Sequence, residues 1–167
     1  MGEHAGAPVS GRTGGRTAIV ERPIDAAALL AEVAAAGHGA TALFVGTVRD
    51  VNDGQPVTGI DYTAYAAMAE RELAAIAAEA AERFATEEGA PRVVVEHRVG
   101  TLAVGEASVM VAVAHARRAP AMDGVRYVVE ELKRRVPIWK REHYADGTRA
   151  WVDPTAPAPG ARTPAAV

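Results

Sequence analysis

The sequence predicts a single α+β domain, a mixed or antiparallel sheet with helices packed on one face, and three observations lead there. Segments rich in β-formers and segments with helical apolar spacing follow one another without the regular alternation of a βαβ fold. The chain has 167 residues, 49% of them hydrophobic and 23% charged, which suffices for one core. Both ends lack apolar periodicity: 1–16 is Gly-rich, and 153–167 holds Pro154, Pro157, Pro159 and Pro164 among Ala, Thr and Gly. Both are therefore expected to be disordered tails around a domain spanning 17–152.

Taken in order, a short strand is expected over 17–21. After Pro23, Ile24, Leu29, Leu30 and Val33 recur at helical spacing over 24–36, until Gly37 and Gly39 stop the helix. Residues 40–49 and 57–65 read as strands, joined by a hairpin-type connection at Asn52-Asp53-Gly54. Over 67–86, Met68, Leu73, Ile76, Ala80 and Phe84 form one stripe of an amphipathic helix, which Pro91 is expected to end. Strands follow at 92–99, 101–103 and 108–115, bent at Gly100 and Gly105-Glu106. Over 120–136, Pro120 suits a first helical turn, Asp123 lies toward the positive dipole end, and Val125, Val128, Val129, Leu132 and Val136 continue an apolar stripe. Pro137 has no N–H, and its ring would clash with the carbonyl of Lys133. The helix should therefore end by Val136, with 138–144 running on extended and a last strand at 149–152.

Composition removes several classes of function. Without Cys there is no disulfide, thiolate metal site or Cys nucleophile, so any sulfur chemistry must use atoms that another molecule brings. A net charge of −3 argues against a nucleic-acid backbone as the main partner. The uncharged apolar run at 109–114 falls far short of the ~20 residues of a membrane span, and the N-terminal stretch has no apolar core of a secretory signal. The cytoplasm is the expected location. His97, His115 and His143 lack metal-ligand spacing, and there is no Walker loop, Rossmann fingerprint or nucleophile-elbow serine. Neither a metal nor a cofactor is expected.

Of the 18 basic residues only Lys133 and Lys140 are Lys. An ammonium can lose its proton and attack carbon, whereas a guanidinium does neither, so two Lys in so Arg-biased a chain are candidates for chemistry. They flank Pro137, which makes Lys133 the last turn of a helix and Lys140 part of the following strand, an arrangement that can converge on one pocket. The other reading is that cations in a last helical turn offset the negative dipole end. Arg49, after Gly46-Thr47-Val48 at a strand end, suits a phosphate or carboxylate, or a surface ion pair. His115-Ala116-Arg117-Arg118, ahead of a helix N-terminus, forms an anion cradle. His97-Arg98-Val99-Gly100 is a third basic step, with His97 either catalytic or a hydrogen-bonded structural histidine.

Phe44-Val45-Gly46-Thr47-Val48-Arg49, the 62–69 stretch ending Ala67-Met68-Ala69, His97-Arg98-Val99-Gly100, Val104-Gly105-Glu106, Leu132-Lys133, Val136-Pro137-Ile138-Trp139-Lys140-Arg141-Glu142 and Trp151-Val152 together resemble the MoaE family of molybdopterin synthase catalytic subunits. The likeness runs in order from about Ile19 to Val152, with the Pro-Ile-Trp-Lys-Arg-Glu block its most specific part. It implies an α/β-hammerhead fold and a sulfurtransferase of molybdenum cofactor biosynthesis, converting cyclic pyranopterin monophosphate to molybdopterin by forming a dithiolene. Sulfur would arrive as the C-terminal Gly-Gly thiocarboxylate of a small ubiquitin-like subunit, and a homodimer would form the core of a heterotetramer, with a pocket that borrows an Arg from the neighbouring protomer. The resemblance makes Lys133 the leading candidate for proton transfer or transient covalent attachment and Lys140 the residue that orients or polarises substrate. It places Arg49, Arg118, Arg141 and Glu142 in the pocket, with Thr47 and Val48 supplying backbone. Arg117 stands where the family carries a histidine, and can hold a phosphate but not shuttle a proton near neutral pH; His115 lies two residues earlier. Thr63 replaces a common Glu. A second reading is a binding or assembly subunit that keeps the fold and partner groove without turnover; a third, a nucleic-acid binder, is disfavoured by charge.

Overall fold

The computed structural model describes residues 9–10 and 15–152. Its elements are β1 (Val9–Ser10), β2 (Arg16–Val20), α1 (Ala26–Val33), β3 (Ala40–Thr47), β4 (Val51–Asn52), β5 (Gln55–Ala64), α2 (Ala66–Arg83), β6 (Arg92–Arg98), β7 (Gly100–Ala103), β8 (Ala107–His115), α3 (Arg118–Arg135), β9 (Ile138–Tyr144) and β10 (Arg149–Val152). They form two sheets rather than one. The first has the order β1-β2-β6-β8-β3, in which only β2 and β6 run parallel; the second has the order β10-β9-β5-β4, with β7 also paired to β5.

The helices do not share one face, which corrects the expectation from sequence. In β6 and β8, Val93, Val95, Val109, Val111 and Val113 point into a core with Leu73, Ile76 and Ala80 of α2 and Val128 and Leu132 of α3. Val94, Met110, Ala112 and Ala114 point the opposite way, against Leu29 and Val33 of α1. A strand covered on both faces is apolar at every position, and the near-unbroken apolar run of β8 is the sequence mark of that burial. Asp25 starts α1 by accepting from the N–H groups of Ala27 and Ala28 at 2.9 and 3.3 Å.

Other boundaries move for local reasons. The Asn52-Asp53-Gly54 turn closes β4 onto β5, not β3 onto β5, because β3 is taken by β8. Asp53 and Gly54 have φ of 49° and 77°, the left-handed pair that a two-residue hairpin requires. α2 ends at Arg83, well before Pro91, because the chain turns back at Thr86 and Gly89, whose backbones exchange hydrogen bonds of 2.9 and 3.0 Å. α3 begins at Arg118, so Asp123 lies beyond its first turn, which holds no acidic residue. Of the expected N-terminal tail, Val9–Ser10 pair with Thr17 and Arg16, and Arg16 opens β2, where backbone pairing to the sheet orders them. Residues 1–8, 11–14 and 153–167 lie outside the described residues. Among the described residues no helix is long and apolar enough to cross a membrane.

Candidate active site

The chain from α3 into β9 carries the two lysines. Val136, forced by Pro137 into an extended conformation, closes α3, and β9 starts at Ile138. The last turn of α3 holds Lys133, Arg134 and Arg135. Arg134 pairs with Glu131 at 2.6 Å, and Arg135 reaches Glu79 at 2.6 Å and Glu72 at 3.1 Å. Lys133 is exposed and has no ion-pair partner among the described residues.

Along β9 the side chains alternate between the two faces of the second sheet. Lys140, Glu142 and Tyr144 share one face, opposite Tyr62 and Ile60 of β5. Glu142 is 2% exposed, and all three of its donors are in place: Lys140 Nζ donates to Oε1 at 3.0 Å, while Asn52 Nδ2 and Tyr144 OH donate to Oε2 at 2.7 and 2.9 Å. Burial pushes the Glu142 carboxyl up, but the bonds from Lys140 and Tyr144, the Lys140 charge and the Asn52 amide together hold it below the usual carboxylate value. The charged pair is thus set, and Lys140 is fixed where Lys133 is not. Arg49 is exposed just past β3, and its Nη2 lies 3.5 Å from Asn52 Oδ1, so Arg49, Asn52, Glu142 and Lys140 form one connected group. Thr47 ends β3, two residues before Arg49. Val48 is buried and its backbone is bonded within the fold: its N–H donates to Glu106 O at 3.0 Å and its carbonyl accepts from Gly105 at 2.8 Å.

Arg141 and His143 point to the other face of β9, away from Lys140. Arg141 donates to Asp61 at 2.7 Å and lies over Trp151 at 5.5 Å, and His143 Nε2 comes within 2.8 Å of the same carboxylate. Burial raises the Asp61 carboxyl, but Arg141, His143 and Thr101 hold it well below the ordinary range. On this side an apolar groove is lined by Thr63, Ala64, Tyr65, Met68 and Trp139.

The remaining candidates lie elsewhere. Arg118 opens α3 with Arg117 as its N-cap, fifteen and sixteen residues before Lys133 and so about 22 Å or more from it along the helix. Arg117 pairs with Glu88 at 2.8 Å; Arg118 is exposed. His115 is buried and structural: its Nδ1 accepts the N–H of Arg117 at 2.9 Å, which leaves Nε2 to donate to Gly89 O at 3.0 Å. His97 is buried edge-on to Tyr62, with Nδ1 3.0 Å from Arg98 O; burial pushes it down to about 4 despite that hydrogen bond, so it is neutral. Arg98 is tied to Glu106 at 3.0 Å and Glu21 O at 3.2 Å. The sequence reading missed Asn52, Tyr144 and Asp61. The first lay hidden inside a turn signal, and the second was two residues past Glu142 on the same strand face. Among the described residues no group of three or more His, Asp and Glu is placed to hold a metal ion.

Fold and site define an α+β protein, free of cysteine, that sets one lysine rigidly beside a buried carboxylate and leaves a second open. The MoaE protein family model matches residues 19–135. A molybdopterin synthase catalytic subunit from Emericella nidulans is 43% identical over 73% of this chain and 60% of its own length. One from Halalkalibacterium halodurans is 39% identical over 84% of this chain and 86% of its own length. The crystal structure of molybdopterin synthase from Staphylococcus aureus superposes with a TM-score of 0.76 at 32% identity, covering 81% of this chain and 96% of that one. The chain belongs to the MoaE family. It spans about three fifths of the length of the Emericella relative.

Proposed function

We propose that this protein is the catalytic subunit of a molybdopterin synthase, a sulfurtransferase that converts cyclic pyranopterin monophosphate to molybdopterin in the cytoplasm. The observation that carries the reading is the contrast between the two lysines: Lys140 anchored to buried Glu142, Lys133 uncompensated while Arg134 and Arg135 beside it are paired. A fixed ammonium suits holding and polarising an anionic pterin, and an open amine suits proton transfer or transient attachment. Having no Cys, the chain takes its sulfur from a partner, a small ubiquitin-like subunit ending in a Gly-Gly thiocarboxylate. Arg49 provides a guanidinium fork at the site.

Arg117 and Arg118 sit about 22 Å or more along α3 from Lys133, so one protomer does not gather all the cations that a phosphorylated substrate needs. A homodimer, with the Arg pair of one protomer completing the site of the other and one carrier subunit bound per protomer, supplies them. Mixing the chain with thiocarboxylated carrier and cyclic pterin should give the dithiolene product, and Lys133→Ala should abolish it. Binding of both partners with no product from the native chain would leave the scaffold reading, which the replacement of a histidine by Arg117 favours.

A further inference from the structure

We propose that Asn52 is a positioning residue that joins the guanidinium of Arg49 to the Glu142–Lys140 pair, so that the anion grip and the fixed amine are held as one unit. This rests on the reading of the chain as a molybdopterin synthase catalytic subunit. Asn52 is the second residue of β4 and leads directly into the Asp53-Gly54 turn, whose two left-handed residues leave the hairpin little freedom. Ninety residues separate it from Glu142, yet Nδ2 lies 2.7 Å from Oε2. The amide orientation follows from its neighbours, because only the NH2 group can donate to a carboxylate and only the carbonyl oxygen can face a guanidinium. Arg49 Nη2 sits 3.5 Å from that oxygen, at the long limit of a hydrogen bond.

The buried carboxylate makes this arrangement consequential. Glu142 Oε2 has two donors, Asn52 and Tyr144, and loss of either leaves a buried charge short of a hydrogen bond. Its other oxygen holds Lys140, so a Glu142 that turns to recover a donor takes the lysine with it. Tyr144 shares the first task and has no hydrogen bond to Arg49. The two residues therefore separate support of Glu142 from the link to Arg49.

With two Lys in the chain, lysine labelled with ¹³C at Cε gives two resonances, assigned with Lys133→Ala. In Asn52→Ala the Lys140 resonance should move while that of Lys133 stays, and kcat/KM should fall about tenfold. Arg49→Ala should cost less in the Asn52→Ala background than in the wild type. Tyr144→Phe should move the Lys140 resonance yet leave the full cost of Arg49→Ala. Asn52→Asp keeps an acceptor toward Arg49 and places a like charge against Glu142, and serves where Asn52→Ala fails to fold; its Lys140 resonance should move further still. An unmoved Lys140 resonance in folded Asn52 variants, or additive losses for Asn52 and Arg49, overturns the proposal. A wild type that makes no product removes the functional reading, and the resonances then decide whether Asn52 governs Lys140.

Discussion

Charge compensation distinguishes the two lysines: Lys140 pairs with Glu142 at 3.0 Å, and Lys133 stands open among arginines that are paired. Arg98, Arg117, Arg134, Arg135 and Arg141 each have a carboxylate within 3.1 Å, whereas Lys133 has none among the described residues. If Lys133 acts through its free amine, Lys133→Arg should be as inactive as Lys133→Ala, because a guanidinium neither deprotonates nor attacks. Lys140→Arg should retain part of the rate, since a cation facing Glu142 is what the site requires; single-turnover product formation measures both. His97 gives a second prediction. Its folded value of about 4 lies below the 6.5 of an unperturbed histidine, so below pH 6.5 the unfolded chain takes a proton that the folded one refuses. That contribution is complete above pH 6.5 and is lost progressively as pH falls to about 4, by roughly 3 kcal/mol. Urea unfolding across that window should show the loss, and His97→Gln should flatten it.

Among the elements, β5 is the hinge of the design, pairing with β4, β7 and β9. Gly59 lets β5 approach β7, since a Cβ there would lie 2.9 Å from the carbonyl oxygen of Leu102, which is backbone and cannot swing aside. Gly59→Ala should cost about 1–3 kcal/mol in chemical denaturation, and Gly37→Ala, whose Cβ meets nothing within 4 Å, should not destabilise. The Pro137 break was legible in the sequence because proline geometry is local. The pairing of β3 with β8 instead of β5 was not, because a short turn between two strand-like segments reads as a hairpin whichever strands it joins.

In the whole molecule, the N-terminal part of the domain is fastened by Glu96, which is 1% exposed at its side chain and accepts from Arg16 at 2.8 Å and Arg22 at 2.7 Å. Burial raises the Glu96 carboxyl, yet the two guanidiniums hold it below its ordinary value. Its stabilisation is therefore present above the usual carboxylate value near 4 and is lost as pH falls below that. Glu96→Gln should lower stability by about 2 kcal/mol at neutral pH and remove that part of the acid loss, read from thermal unfolding at several pH values. The outer face of the second sheet exposes Trp139 at 45% and Trp151 at 60% beside the groove at Met68. Exposed aromatics of this size suit an assembled protein, and Trp139→Asp should lower the mass seen by sedimentation of the chain with the proposed carrier subunit.

By itself, the amino-acid order determined the succession of strands and helices, the break after Val136, the absence of any cysteine for sulfur chemistry and the candidacy of both lysines. Each of these follows from local backbone chemistry or from which side chains exist at all. Tertiary structure alone decided which cations remain unneutralised, that α1 covers the far side of the first sheet, that Arg141 turns away from Lys140, and that Asn52 meets Glu142. Those facts depend on partners tens of residues distant, brought together by strand pairing, and nothing in the spacing along the chain encodes them.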